Sequence, residues 1–296
     1  MGWGQVTDTH EARELLRVFR DAGGSLVDTA ASYGDGAAEG VLGAVLAADP
    51  GLRRGLVVAT KAGVDRAAGA RAVDLSRRGL LTALDASLDR LDADHVDLWQ
   101  LQSFPEAVPL AETLSACEAA LATGRVRYVG VCGTAAWQLA LWVATAAGSR
   151  FGAAPVTVAA EHSLLNRGVE GELGVAAHHL GVGLLGWAPL GRGVLTGKYR
   201  TGVPRDSRGA SPQLAGFVER YLGSRGRQVT EAVATAADGL GLTPAQVALA
   251  WALARPGVTG VLTGPRTAAQ LRDLLPAVDA RLPAEITAAL DEVSTS

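Results

Sequence analysis

Several side chains able to hold or move a proton stand at the ends of short apolar runs. Asp28 closes Ser25-Leu-Val-Asp28, and Lys61 closes Gly55-Leu-Val-Val-Ala-Thr-Lys61. Gln102 follows His95-Val-Asp-Leu-Trp-Gln-Leu101, Cys132 follows Arg127-Tyr-Val-Gly-Val131, and Tyr33 lies five residues beyond Asp28. In a barrel of parallel strands the C-terminal strand ends converge on one mouth, so these groups would meet there. A buried lysine beside a carboxylate stays charged, and a cation near a phenol favours the phenolate, lowering its pKa from about 10. Such a tyrosine can give a proton to a developing alkoxide, which is general acid catalysis of carbonyl reduction. The same spacing also suits a structural Asp–Lys pair with a packing tyrosine, and the residues alone leave both open.

Composition sharpens the interest in lysine. Of 27 basic residues only Lys61 and Lys198 are lysine, the other 25 being arginine. A compact, tunable ammonium does work that a broad guanidinium cannot, so a lysine surviving this bias attracts a functional reading. Cys117 and Cys132 have no metal-ligand spacing around them, and no disulfide framework or metal is expected. A net charge of −3 and a pI near 6.0 give no basic footprint for nucleic acid. No apolar run is long enough to span a bilayer and the N-terminus carries no secretory pattern, so a cytoplasmic protein is expected.

The elements that must position these groups alternate along all 296 residues. Asp8-Thr-His-Glu11 reads as a capping box before Ala12, Leu15, Leu16 and Phe19 at helical spacing, with Gly23-Gly24 as the stop. Ser76 caps a helix carrying Leu80, Leu84, Leu88 and Leu91. Further helices fall near 110–123, 134–147 and 170–180, and Thr243-Pro-Ala-Gln246 caps another. Strand-like runs also occur at 156–160, 183–187 and 258–262, giving seven in all; Gly2-Trp3-Gly4 would make eight. Apolar runs alternating with helices indicate parallel pairing, and the length suits a single α/β domain, a (β/α)8 TIM barrel. The first strand-to-helix turn lacks G-x-G-x-x-G, which weakens the doubly wound alternative. One connection, about 188–228, is long and rich in Gly, Arg and Ser, and a loop of that length in a compact domain suggests function.

Val27-Asp-Thr-Ala-Ala-Ser-Tyr-Gly34 with Glu39, Ala59-Thr-Lys-Ala-Gly63, Val96-Asp-Leu-Trp-Gln-Leu101 and Gly124-Arg-Val-Arg-Tyr-Val-Gly-Val131 resemble consecutive signatures of the aldo-keto reductase family. So do His162-Ser-Leu-Leu-Asn-Arg167, Gly186-Trp-Ala-Pro-Leu-Gly-Arg-Gly-Val-Leu-Thr-Gly-Lys198 and Thr263-Gly-Pro-Arg-Thr-Ala-Ala-Gln270. The resemblance covers nearly the whole chain and is nearest to the branch of potassium-channel β-like and bacterial sugar-modifying members. It implies a (β/α)8 barrel that reduces a small-molecule carbonyl or a conjugated enone by hydride transfer from NADPH, with bacterial secondary or sugar metabolism as a setting. It makes Tyr33 the general acid, Lys61 its tuning cation and Asp28 the anchor of Lys61, with Gln102 beside the substrate oxygen. It assigns the cofactor to Trp187, Ala188, Leu190, Arg192, Gly193, Leu195 and Lys198, and to Thr263, Gly264, Arg266 and Gln270 in a C-terminal segment of about 263–274. Trp187 offers a face for nicotinamide stacking. Thr267 to Gln270 is a capping box with Arg266 just ahead, an anion site suited to the 2′-phosphate of NADPH.

The departures matter as much. Gln102 replaces the family's catalytic histidine, Cys132-Gly133 replaces a common Ser-Asn, Ala159 falls where a glutamine often binds the nicotinamide carboxamide, and Leu274 replaces an asparagine. Two other readings stay open. One is a redox-silent NADPH-binding sensor or regulatory subunit. The other is a non-redox barrel enzyme, a dehydratase or cyclase using Tyr33 and Lys61. His162 is read as packed or at the surface, His178 and His179 as structural at a helix end, and Cys132 as a small buried filler.

Overall fold

The computed structural model describes residues 2–65, 72–205, 207–211 and 215–295. Parts of the long 188–228 connection, at 206 and 212–214, therefore lie outside the described residues. Two compact units divide the fold, Met1–Ala159 with Ala176–Gly183 and Gly264–Leu271, and Ala160–Val175 with Leu184–Thr263 and Arg272–Ser296.

In the first unit α1 (Thr9–Asp21) is capped by Asp8, whose carboxylate accepts from the Glu11 N–H at 2.9 Å. Its apolar stripe buries Ala12, Leu15 and Leu16. The expected capping box is only half made, because the Glu11 carboxylate accepts from the Ala268 N–H. The strand β1 (Leu26–Asp28) follows, then α2 (Ala37–Ala48), α3 (Pro50–Arg54) and β2 (Val57–Ala62). Gly43 of α2 has no Cβ where one would lie 2.6 Å from the Arg90 carbonyl oxygen, so glycine permits that close approach. A short antiparallel pair, β3 (Val64–Asp65) with β4 (Ala72–Val73), precedes α4 (Arg77–Leu91). Ser76 caps α4 by accepting from the Gly79 N–H, and Leu80, Leu84, Leu88 and Leu91 are buried as their spacing predicts. Then come β5 (Val96–Gln102), α5 (Leu110–Ala122), β6 (Val126–Cys132), α6 (Ala136–Ala146) and β7 (Thr157–Glu161).

The chain continues through α7 (Glu172–His179) and β8 (Gly183–Trp187). In the second unit the long connection is organised into helical turns at Gly191–Thr196 and Arg208–Ala210, and α8 (Ala215–Glu219). Helices α9 (Ser224–Leu240) and α10 (Pro244–Leu253) precede β9 (Val258–Leu262), and α11 (Ala268–Leu274) and α12 (Ala284–Ser294) complete the order. The core of this unit gathers Leu195, Val229, Val233, Val247, Trp251 and Leu290. Apolar burial of this kind is its main source of stability. Thr243 forms the capping box on α10 reciprocally with Gln246.

The strand order is β1-β2-β5-β6-β7-β8-β9, and the registers of β1/β2, β2/β5, β5/β6, β6/β7 and β8/β9 are all parallel. Seven parallel strands separated by helices put the chain in the α/β class of (β/α)8 barrels. The eighth strand expected at Gly2-Trp3-Gly4 does not form. The Gly2 carbonyl instead accepts from the N–H groups of Gln5, Val6 and Thr7, closing a tight turn, and Trp3 makes one isolated bridge to Thr7. Among the described residues no helix is long and apolar enough to cross a membrane.

Candidate active site

Parallel register aligns the chemistry in the first unit. Lys61 on β2 sits opposite Gln100 on β5, and Gln102 sits opposite Cys132 on β6. The Lys61 side chain is buried, and its ammonium donates to Asp28 Oδ2 and, at 2.8 Å, to the Thr29 carbonyl. The same Nζ lies 5.2 Å from the centre of the Tyr33 ring. The structure thus brings together Asp28, Tyr33 and Lys61.

Electrostatics at this cluster correct one expectation. Burial pushes the Tyr33 phenol up, Lys61 pulls it back down, and Asp28 and Cys132 push it up further, so its pKa is raised. Desolvation outweighs the cation, and Tyr33 is a neutral phenol with its proton in place at neutral pH. Burial also penalises the Lys61 ammonium, but Asp28 and Tyr33 outweigh that penalty and hold its pKa above the ordinary lysine value. The arrangement is a protonated phenol beside a permanent cation, able to donate a proton and to stabilise the charge left behind.

Gln102 accepts through Oε1 from the Ser32 hydroxyl at 3.3 Å, so the amide presents its N–H edge as the donor. The next residue, Ser103, has φ of 134° and its N–H donates to the Cys132 carbonyl at 3.0 Å. A non-glycine residue in that region stores strain on the order of 1–3 kcal/mol and persists only where its surroundings hold it. Cys132 is half-buried and pairs in register with Gln102.

Gln100 and Ser32 were not singled out in the sequence. A signal existed for Gln100, because residues 98, 100 and 102 of a strand share a face, and a glutamine two residues before Gln102 interrupts an otherwise apolar run.

In the second unit Trp187 ends β8, and Ala188, Gly191, Arg192 and Gly193 all have positive φ. A Cβ on Gly193 would lie 3.2 Å from Lys198 Nζ, so the glycine lets backbone and ammonium close on one small space. That is a cradle suited to an anion. Arg192 is held elsewhere. It donates to Glu161 at 3.0 and 2.8 Å and to the Phe217 carbonyl at 3.1 Å, among the rings of Trp187, Phe217 and Tyr221. Tyr221 also donates to Glu161 at 2.8 Å. The guanidinium expected on a pyrophosphate is thus already bidentate to a carboxylate. Leu195 is fully buried and its N–H donates to the Leu190 carbonyl at 3.1 Å, so its side chain serves the core. Thr263 follows β9.

Gly264, Arg266 and Gln270 belong to the first unit. Thr267 accepts from the Gln270 N–H at 3.2 Å, while Gln270 Oε1 accepts from the Arg266 N–H at 2.8 Å. The Glu11 carboxylate already occupies one donor at this helix start, so the 2′-phosphate reading rests on the Arg266 side chain. His162 is fully buried, with Nε2 2.9 Å from Glu170 and its ring 5.4 Å from that of Trp251; it is packed and not at the surface.

Asp28 and Lys61 near strand ends, with Tyr33 in the loop after β1, put the cluster where (β/α)8 barrel enzymes keep their sites. Residues 1–295 match the model of the Aldo/keto reductase family, and the chain belongs to that family. It is similar to a "Probable voltage-gated potassium channel subunit beta" of Arabidopsis thaliana, 32% identical over 286 residues, covering 94% of this chain and 84% of the relative. It is also similar to "Uncharacterized oxidoreductase YrpG" of Bacillus subtilis (strain 168), 32% identical over 306 residues, covering 99% of this chain and 90% of the relative. Membership in this family makes the chain an oxidoreductase by class.

Proposed function

We propose that this protein is a cytoplasmic NADPH-dependent reductase of small carbonyl compounds or conjugated enones. The observation that carries the reading is the buried Lys61–Asp28 pair with its ammonium against the Tyr33 ring. Tyr33 donates the proton to the substrate oxygen, Lys61 stabilises the resulting phenolate, and Asp28 holds Lys61. Gln102 offers an amide N–H to the same oxygen. NADPH supplies the hydride when bound. Taken unit by unit, the Lys198–Gly193 cradle and the Trp187 face of the second suit a pyrophosphate and a nicotinamide, and the Arg266 side chain of the first suits a 2′-phosphate. The test is NADPH titration followed by tryptophan fluorescence, then NADPH consumption across a panel of aldehydes, ketones and enones. Binding with turnover supports the reductase; no binding refutes it.

A second reading has specific support. Gln102 has no proton that titrates near neutrality, and relatives named as channel β subunits cover most of this chain. A regulatory subunit that senses NADPH would bind it in the same titration and consume none with any carbonyl.

A further inference from the structure

Gln100 is fully buried on β5, between the Asp28 carboxylate and Gly130 of β6. Its Nε2 donates to Asp28 Oδ1 at 2.7 Å. An ionised carboxylate only accepts, so this contact fixes which end of the amide faces Asp28. The other end, Oε1, is buried and receives no hydrogen bond. A Cβ on Gly130 would lie 3.1 Å from Gln100 Cγ and 2.4 Å from Thr157 Oγ1, so the glycine makes room for the side chain. A buried carbonyl oxygen without a donor is unfavourable, and an apolar side chain of equal size would avoid that cost. What Gln100 contributes in return is its N–H on Asp28.

We propose that Gln100 is a positioning residue of the proton-donating cluster, dividing the Asp28 oxygens so that Oδ1 is held by its amide and Oδ2 by Lys61. With its carboxylate held at both oxygens, and with the Thr29 carbonyl accepting from the Lys61 ammonium at 2.8 Å, Asp28 aims that ammonium at Tyr33. The charged and titratable groups around the contact are Asp28 at the end of β1, Tyr33 in the following loop, Lys61 on β2 and Cys132 on β6. The inference rests on the reductase reading for its kinetic consequence and on geometry alone for its effect on Lys61.

Because Lys61 and Lys198 are the two lysines of the chain, ¹⁵Nζ-lysine labelling of the full-length protein gives two side-chain signals, with Lys198 as an internal reference. Gln100→Met keeps the length and removes the donor. It is expected to move the Lys61 resonance and leave that of Lys198 in place. With NADPH and 4-nitrobenzaldehyde as probe, kcat is expected to fall about tenfold, or roughly 1.4 kcal/mol, with KM and NADPH affinity unchanged. Gln100→Glu places two carboxyl groups in contact, which share a proton at low pH and lose it as pH rises. Its kcat is expected to approach the natural protein's near pH 5.5 and to fall about tenfold by pH 8.5, where the natural profile is flat. A folded Gln100→Met protein with an unmoved Lys61 signal overturns the proposal, as does a flat Gln100→Glu profile in a protein that turns over. If the natural protein consumes no NADPH, the reductase reading fails by itself, and the Lys61 signal still decides the role of Gln100.

Discussion

The Lys61 ammonium faces the Tyr33 ring at 5.2 Å while donating to Asp28 and to the Thr29 carbonyl. A cation held on two sides by acceptors has little freedom to leave, so its field at the phenol is constant. That constancy suits the proton donor that the proposed reduction makes of Tyr33.

Replacing Tyr33 with Phe removes only the phenol oxygen. Turnover is expected to drop by about 10² or more, with the fold and NADPH affinity retained. Steady-state kinetics and a fluorescence titration check both parts. Because burial raises the Tyr33 pKa, reduction by the natural protein should stay flat through neutral pH and fall only above the ordinary tyrosine range, as the phenol deprotonates.

Lys61→Arg keeps the charge but replaces a compact ammonium with a planar fork that the buried niche between Asp28, Thr29 and Tyr33 does not accommodate. A loss of kcat comparable to that of Tyr33→Phe is expected, together with reduced stability in urea unfolding. Full activity in this variant would remove Lys61 from the chemistry.

Arg266→Ala tests cofactor choice. The natural protein is expected to bind NADPH at least about tenfold more tightly than NADH, near 1.4 kcal/mol, and the variant to lose most of that preference. Equal affinities in the natural protein would show that the 2′-phosphate is not read at this place.

Gln102→His introduces a side chain that donates and titrates near neutrality. Reduction of simple aldehydes is expected to rise by about tenfold, while bulkier ketones and enones remain the better substrates of the natural protein. Efficient small-aldehyde reduction without the change, and no gain with it, counts against the role given to Gln102.

Glu170, in the second unit, supplies an acid-stability test. Burial would raise its pKa, but hydrogen bonds from His162 and Arg167 outweigh that and lower it to about 2 from the usual 4.5. A depressed carboxylate contributes stability above its unfolded pKa and loses it as pH falls through the folded value. Glu170→Gln should therefore be less stable than the natural protein at pH 7, with the gap closing between about pH 4.5 and 2. Denaturant midpoints at three or four pH values in that range measure it.

The strands were legible because each is a short apolar run, and their ends carry Asp28, Lys61, Gln102 and Cys132. Helices with polar caps, such as those opened by Ser76 and Thr243, were equally plain. Helix α2 is preceded at its N-cap by Gly36, with φ of 89° and no side-chain cap, and α9 by Gly223, likewise without one, so neither announces itself locally. Gly2-Trp3-Gly4 was misread because its apolar tryptophan suggested a strand while the glycines favoured a turn. In the candidate site, residue types showed which groups could react, but not what else they touch. The Glu161 partner of Arg192 lies 31 residues away, and the Gln100 partner of Asp28 lies 72 away. The balance of burial against charge at Tyr33 likewise depends on packing that spacing does not encode.

Thr7 donates to the Arg266 carbonyl at 3.1 Å, and Ala268 donates to Glu11, so the beginning of the chain is stitched to a segment made near its end. During synthesis the first unit therefore waits for Gly264–Leu271 while on the order of a hundred intervening residues emerge. At the usual pace of translation that delay is on the order of 5–20 s. Throughout that interval the start of α1 carries a carboxylate whose partner has not yet been made.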